Sequence, residues 1–245
     1  MGSIALVTML NKAMLIGFKV FLKSFLFHNP WFSYDLVIFD LDLTPKVKKE
    51  IQALYKNVVF KKINLEKYKE MDMSNTADRL KVTFYKLDTF SLYEYDRVVF
   101  IDVDTVVLGD LSELFNCPAP IAAVKGYSEK TDSLRADVNA GVFVVNHQYL
   151  NEQTYNALLE IEKKGFSMPE QKTMNIYFSG KMAYFNKSYN VEKRMEHTKN
   201  FKHILEKAKI VHYVAGKPWD ENDPEKGKYP KMETIWREWY GKDIN

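Results

Sequence analysis

RVVFIDVDTVVLGDLSELF, residues 97–115, decides how the chain is read. Val98, Val99, Phe100 and Ile101 make an almost unbroken β-branched and aromatic run, the pattern of a strand buried on both faces of a mostly parallel sheet. Two aspartates one residue apart, Asp102 and Asp104, close that run. Side chains at i and i+2 of an extended segment point the same way, and open α/β sheets bind ligands beyond the carboxyl ends of their strands. Both carboxylates can therefore face one divalent cation. The pair is equally compatible with a plain strand and turn, with Asp110 capping the next short helix and Glu113 completing a capping box. The rest of the chain has to decide.

The chain has 245 residues, 46% of them hydrophobic, enough to bury a substantial core as one domain, or as one domain with a small appendage. Its net charge of +3 is mild. The lysines are scattered rather than grouped in blocks, which argues against nucleic acid as a partner but suits a phosphate-bearing ligand locally. Cys117 is the single cysteine, so neither an internal disulfide nor a multi-cysteine zinc site can form, and a reducing compartment is favoured. Asn11, Lys12, Lys19 and Lys23 interrupt the apolar N-terminal stretch. No apolar run approaches the ~20 residues needed to span a bilayer, so the expectation is a soluble cytoplasmic protein without a transmembrane segment.

Outward from the aspartates, the N-terminal part alternates strand and helix. Ile4 to Met9 reads as a strand, Ala13 to Phe27 as a helix with Ile16, Val20 and Phe27 at helical spacing, and Asp35 to Phe39 as a second strand. Lys46 to Tyr55 reads as a helix and Val58 to Ile63 as a third strand. This alternation implies βαβ units, a parallel sheet and right-handed crossovers, an architecture suited to nucleotides. Between Thr76 and Leu92 a helical pattern places Leu80, Phe84 and Leu87 on one stripe and Arg79, Thr83 and Lys86 on its neighbour. Beyond the aspartates come a short strand, Ile121 to Val124, a charged loop from Lys125 to Val138, and NAGVFVVN at 139–146. Gly141, lacking a Cβ, suggests close backbone approach before a buried strand. A helix from Tyr149 to Lys164 stops at Gly165, and Ser167 with Glu170 has capping-box spacing for the next. Met182 to Phe185 reads as a strand and Asn186 to Lys207 is weakly patterned. IVHYVAGKPW at 210–219 puts His212 on a short strand, and an amphipathic helix from Met232 to Tyr240 closes the chain.

Six of these segments occur in one order: the opening with Thr8, Asn11 and Gly17; the basic stripe with Arg79 and Lys86; IDVDT; NAGVFVV; EQKTMN; and HYVAGKPW. Together they resemble the retaining glycosyltransferases of family 8, which include glycogenin and galactinol synthase. The resemblance implies one GT-A type, Rossmann-like α/β domain over 1–245 with a mostly parallel central sheet flanked by helices. Residues 1–115 would form its nucleotide-binding half and 116–245 its sugar-donor and acceptor half. It implies a divalent cation, usually Mn2+, held by Asp102, Asp104 and His212 against the diphosphate of a UDP-sugar. Carboxylates and one imidazole suit such an ion. Lys217 and Lys86 would add positive charge there, and Arg79 belongs to the same basic stripe. Val103 and Gly216 lie in the same motifs among the donor-binding positions. Asn139, Ala140, Gly141, Glu170 and Gln171 match donor-sugar contacts, and Thr8 and Asn11 would lie by the uridine. Glu170, Gln171 and Lys217 would carry catalysis by shaping the sugar pocket and meeting the leaving group, with no covalent nucleophile.

The implied reaction moves a hexosyl unit from a UDP-sugar, UDP-glucose or UDP-galactose, to a hydroxyl of a carbohydrate, polyol or glycan; a homo-oligomer stays open. The chain departs from the family pattern in three places. Met14 replaces a tyrosine that stacks on uracil, Glu170 replaces a common aspartate as in the galactinol synthase branch, and three residues rather than two separate His212 from Gly216. A competing motif, VIFDLDLTP at 37–45, has the Asp-x-Asp-x-Thr pattern of haloacid-dehalogenase-like phosphatases, with Asp40 as nucleophile and Asp42 as general acid. Thr44 and Pro45, however, read as the N-cap and first residue of the following helix, which accounts for the threonine without chemistry. A non-catalytic nucleotide-sugar binding protein is the remaining alternative.

Overall fold

The computed structural model describes residues 2–71, 74, 81–166 and 169–242. β1 (Ile4–Leu10) leads through a 3₁₀ turn into α1 (Leu15–His28), followed by β2 (Asp35–Asp40), α2 (Pro45–Leu54) and β3 (Val58–Lys62). β4 (Arg97–Ile101) and β5 (Thr105–Val107) flank the aspartate pair, and α3 (Ser112–Phe115) follows. Then come β6 (Ile121–Ser128), β7 (Ser133–Asn146), α4 (Glu152–Glu162), α5 (Pro169–Tyr177), β8 (Ala183–Tyr184) and β9 (Val191–Glu192). α6 (Phe201–Glu206), β10 (Ile210–His212) and α7 (Pro230–Gly241) complete the order. Among these helices none is long and apolar enough to cross a membrane.

The main sheet has the strand order β3-β2-β1-β4-β7-β6-β8. β1 to β4 pair parallel, β7 is antiparallel to both β4 and β6, and β8 returns parallel to β6. This is the expected α/β architecture with a mostly parallel sheet. Alternation along β4 feeds two cores. Val98 and Phe100 pack on one face with Phe84, Leu87, Phe90 and Leu158, while Val99 and Ile101 pack on the other with Phe18, Phe21 and Phe25 of α1. Both faces are covered, which is why the strand reads as a continuous apolar run. A second sheet, β5-β10-β9, holds a third core of Val106, Val211, Tyr213 and the α7 tryptophans Trp236 and Trp239.

Thr44 accepts from the Val47 N–H and Pro45 opens α2, as its sequence requires. Three expectations are corrected. The charged segment 125–138 is not a loop. β6 and β7 continue through it as a hairpin pairing Tyr127 with Leu134, and Gly126 leaves room for the Arg135 guanidinium. The described end of the 76–92 pattern is a 3₁₀ helix, Val82–Ser91, rather than an α-helix. At three residues per turn Phe84, Leu87 and Phe90 share one face, and all three are fully buried. Finally, β5 as well as a turn separates the aspartates from α3, and the capping box is not formed: Asp110 accepts from the Ser112 N–H at 3.0 Å, but Glu113 instead accepts from the Tyr189 hydroxyl at 2.6 Å. Ser167 lies outside the described residues, so the capping box at 167–170 is not described.

α4 carries a carboxylate of another kind. Glu162 is fully buried, neither of its oxygens has a hydrogen-bond partner among the described residues, and burial lifts its pKa to about 7; the nearby Thr173 hydroxyl tempers that rise and the Glu170 charge adds to it. A carboxyl whose pKa is higher folded than unfolded supports the fold when protonated, and that support is lost as pH rises from about 4.5 through about 7. Glu162→Gln stays neutral throughout. We expect it to stabilise the protein by roughly 2–3 kcal/mol at about pH 8 and hardly at all at about pH 4, read from denaturant midpoints at the two pH values.

Candidate active site

The chain leaves the main sheet at Asp102 and enters the second one at Thr105, so the aspartates occupy the junction of the two sheets. Backbone contacts lock this step. The Asp102 N–H donates to the Gly141 carbonyl at 2.9 Å, the Tyr213 N–H to the Asp104 carbonyl at 2.9 Å, and the Thr105 hydroxyl to the Asp102 carbonyl at 2.8 Å. β10 lies antiparallel to β5 and brings His212 opposite Thr105. One ligand atom from each of Asp102, Asp104 and His212 falls within 4.8 Å of the others. His212 Nε2 is 3.3 Å from Asp104 Oδ1 and 3.8 Å from Asp102 Oδ2. Two hard carboxylates and one imidazole, converging at this distance, fit a divalent cation.

Two lysines neutralise the pair from opposite sides. Lys86 Nζ donates to Asp102 Oδ2 at 2.7 Å and lies 3.5 Å from Glu170, tying the start of α5 to the end of β4. Burial by itself would depress the Lys86 ammonium, but Asp102 and Glu170 outweigh it and hold its pKa above the ordinary lysine value. Lys217 Nζ pairs with Asp104 Oδ2 and donates to the Tyr213 carbonyl at 3.0 Å. Burial works against charge on Asp104, yet Lys217 and His212 keep its carboxyl far below the usual carboxylate range. Burial raises the Asp102 carboxyl despite Lys86, with the Asp104 charge adding to the rise.

The Lys217 loop is braced on its far side. Lys193, buried, donates to the Gly216 carbonyl at 2.7 Å and pairs with Glu225 at 2.9 Å, and the Lys217 N–H donates to the Asp223 carboxylate. A Cβ at Gly216 would lie 2.5 Å from Asp223 Cγ, so that position has no room for a side chain. The spacing between His212 and Gly216 is turned at Ala215, φ 62°, a left-handed conformation that costs a non-glycine residue roughly 1–2 kcal/mol. Trp219 anchors the loop's end on α1 at Gly17, where a Cβ would collide with the indole.

Asn139, Ala140 and Gly141 line up on β7 beside β4, and Gly141 admits the His212 ring: a Cβ there would sit 2.7 Å from His212 Nδ1. Glu170 and Gln171 are buried at the start of α5, and Val103 is buried between the aspartates. Thr8, expected beside the uridine, is fully buried with its hydroxyl donating to the Ile101 carbonyl at 2.8 Å, so its side chain serves the sheet. Asn11 caps the 3₁₀ turn, accepting from the Met14 N–H at 3.0 Å. Arg79 lies outside the described residues. Asn190 was missed by sequence reading: its Oδ1 is 2.9 Å from His212 Nδ1, across 22 positions in a weakly patterned segment. Lys193 escaped for the same reason, and Asp223 and Glu225 because they meet the Lys217 loop from beyond the HYVAGKPW motif.

The phosphatase motif is committed elsewhere. Asp40 accepts from the Leu43 N–H at 2.7 Å and pairs with Lys48 at 2.5 Å, while Asp42 accepts from the Lys12 N–H at 2.7 Å. Both carboxylates hold turns.

The chain is 24% identical over 262 residues to glycosyltransferase GlyF of Streptococcus pneumoniae, covering 96% of this chain and 60% of that protein. It is 32% identical over 152 residues to glycogenin-1 of Mus musculus, covering 58% of this chain and 43% of glycogenin-1. It thus spans less than two thirds of the length of either relative. In fold it is similar to the galactosyltransferase LgtC, solved with donor and acceptor sugar analogues, with a TM-score of 0.71 at 18% identity, covering 98% of this chain and 97% of that one. Residues 5–223 match Glycosyl transferase family 8, and the chain belongs to that family.

Proposed function

We propose that the chain is a retaining glycosyltransferase that moves a hexosyl unit from a UDP-sugar, UDP-glucose or UDP-galactose, to a hydroxyl of a carbohydrate, polyol or glycan. The observation that carries this reading is the convergence of Asp102, Asp104 and His212 within 4.8 Å, flanked by Lys86 and Lys217. Asp102, Asp104 and His212 would hold a divalent cation, Mn2+ by family expectation, which would supply Lewis-acid stabilisation to the diphosphate leaving group. The chain's own residues do the rest. Lys217, on a braced loop, is placed to move from Asp104 onto a phosphate oxygen. Lys86 stays buried and fixes both Asp102 and the first turn of α5, where Glu170 and Gln171 shape the sugar pocket. The Asn139–Gly141 stretch of β7 contributes close backbone approach. Preorganised charge of this kind acts on the leaving group without reorganising during reaction.

Calorimetry with a panel of nucleotides and nucleotide-sugars, with Mn2+ and with chelator, tests the reading. Tight binding of UDP or a UDP-sugar only with metal supports it, and the preferred sugar identifies the donor. Absence of nucleotide binding under both conditions removes it. The phosphatase alternative makes an opposite demand on Asp40. Asp40→Asn is expected to leave sugar transfer unchanged while costing about 1–3 kcal/mol of stability through its charged hydrogen bonds. Loss of a metal-dependent phosphatase activity in that variant would restore the alternative.

A further inference from the structure

Four groups form a hydrogen-bonded line from β7 to the metal-ligand cluster, and its polarity can be read from one end. The Gly141 N–H is a donor and nothing else, so the Asn139 side-chain atom that meets it at 2.9 Å is the amide oxygen, Oδ1. The same oxygen lies 2.9 Å from the side chain of Asn190, which must therefore present its NH2. The other end of the Asn190 amide is then its oxygen, and this atom stands 2.9 Å from His212 Nδ1. An oxygen there requires a proton on Nδ1. In the neutral ring Nε2 is left with its lone pair, and Nε2 is the nitrogen that faces Asp104 and Asp102.

We infer that Asn190 is a positioning residue, set by the Asn139–Gly141 stretch of β7, that holds His212 in the Nδ1–H tautomer and aims its Nε2 lone pair at the site between the two aspartates. The inference rests on the proposed metal-dependent function only for the use made of that lone pair. Asn190 is fully buried and His212 nearly so, which leaves the amide no solvent partner with which to reverse the line; the ring's competing acceptor is Asp104, whose Oδ1 is farther from Nε2, at 3.3 Å, than the Asn190 oxygen is from Nδ1, at 2.9 Å. The geometry also leaves little space for adjustment, since the ring occupies the volume that a Cβ at position 141 would need. The arrangement links the motif expected at the donor sugar, Asn139 to Gly141, with a ligand contributed by a distant strand. A partner that fixes tautomer and ring orientation commonly sets metal affinity by 10-fold or more.

Imidazole nitrogen NMR of the whole chain reads the tautomer directly. In the metal-free wild type, at a pH where the His212 nitrogen resonances themselves show a neutral ring, the Nδ1–H form is expected; an Nε2–H form overturns the inference. Asn190→Asp keeps an acceptor for Nδ1–H but cannot donate to Asn139, and should retain the tautomer. Asn190→Leu should lose it and weaken binding of Mg2+, titrated alone and followed at His212, by about 10–100-fold. If Asn190→Leu fails to fold, Asn139→Ala takes its place: freeing the Asn190 amide to turn over should give a mixed tautomer. An unchanged tautomer and Mg2+ affinity in whichever of these two variants folds also overturns the inference. The two readings fail separately: an Nε2–H ring in a protein that binds UDP-sugar with metal removes only the line, and an Nδ1–H ring in one that binds no nucleotide removes only the transferase.

Discussion

Asp104→Asn is expected to lower metal-dependent sugar transfer on the order of 10³-fold while the protein stays folded. The substitution keeps shape and burial but removes the charge that faces His212 Nε2 at 3.3 Å and that Lys217 pairs with. The released Lys217 side chain is partly exposed, so it can turn to water rather than remain buried and unpaired, which limits the cost to folding. Transfer rates across a Mn2+ titration, with thermal unfolding alongside, check both halves of the expectation. Full activity at ordinary Mn2+ would remove Asp104 from the metal set.

Gly141→Ala should be nearly as damaging for a different reason. A Cβ at this position would lie 2.7 Å from His212 Nδ1 and 2.8 Å from Asn139 Oδ1, closer than side-chain carbons approach other atoms. The His212 ring is 3% exposed and cannot swing into solvent to make room. Displacing it by even ~1 Å costs a rate of about 10²-fold, and overpacking costs about 1–3 kcal/mol of stability. Gly241→Ala is the control, since a Cβ there meets nothing within 4 Å. The expected signature is a higher Mn2+ requirement in Gly141→Ala and none in Gly241→Ala. Wild-type Mn2+ dependence in Gly141→Ala would show that the ring tolerates displacement.

Some of the site is legible because it is local. Asp102 and Asp104 share a direction through their i, i+2 spacing at the end of an apolar strand, and the structure places them at that strand's exit. Thr44 and Pro45 announce a helix start through side-chain capping and a preset φ, and they also explain away a competing catalytic motif. The errors are local patterns overruled by packing. Charged residues over 125–138 look like a loop, but backbone pairing extends a strand wherever a neighbour offers its edge, whatever the outward side chains. The Asp110 and Glu113 spacing looks like a capping box, but the Tyr189 hydroxyl engages Glu113 from another part of the chain.

Sequence alone determined the βαβ alternation, the buried strand, the paired carboxylates and the family pattern, because hydrophobic period, capping chemistry and short spacings act over a few residues. Tertiary structure alone decided that Lys86 is buried between Asp102 and Glu170, that Thr8 serves the sheet, and that Asn190 orients His212. Those contacts depend on strand order: β7 is inserted beside β4, and β10 lies between β5 and β9. No periodicity within a segment encodes which distant segment will lie against it.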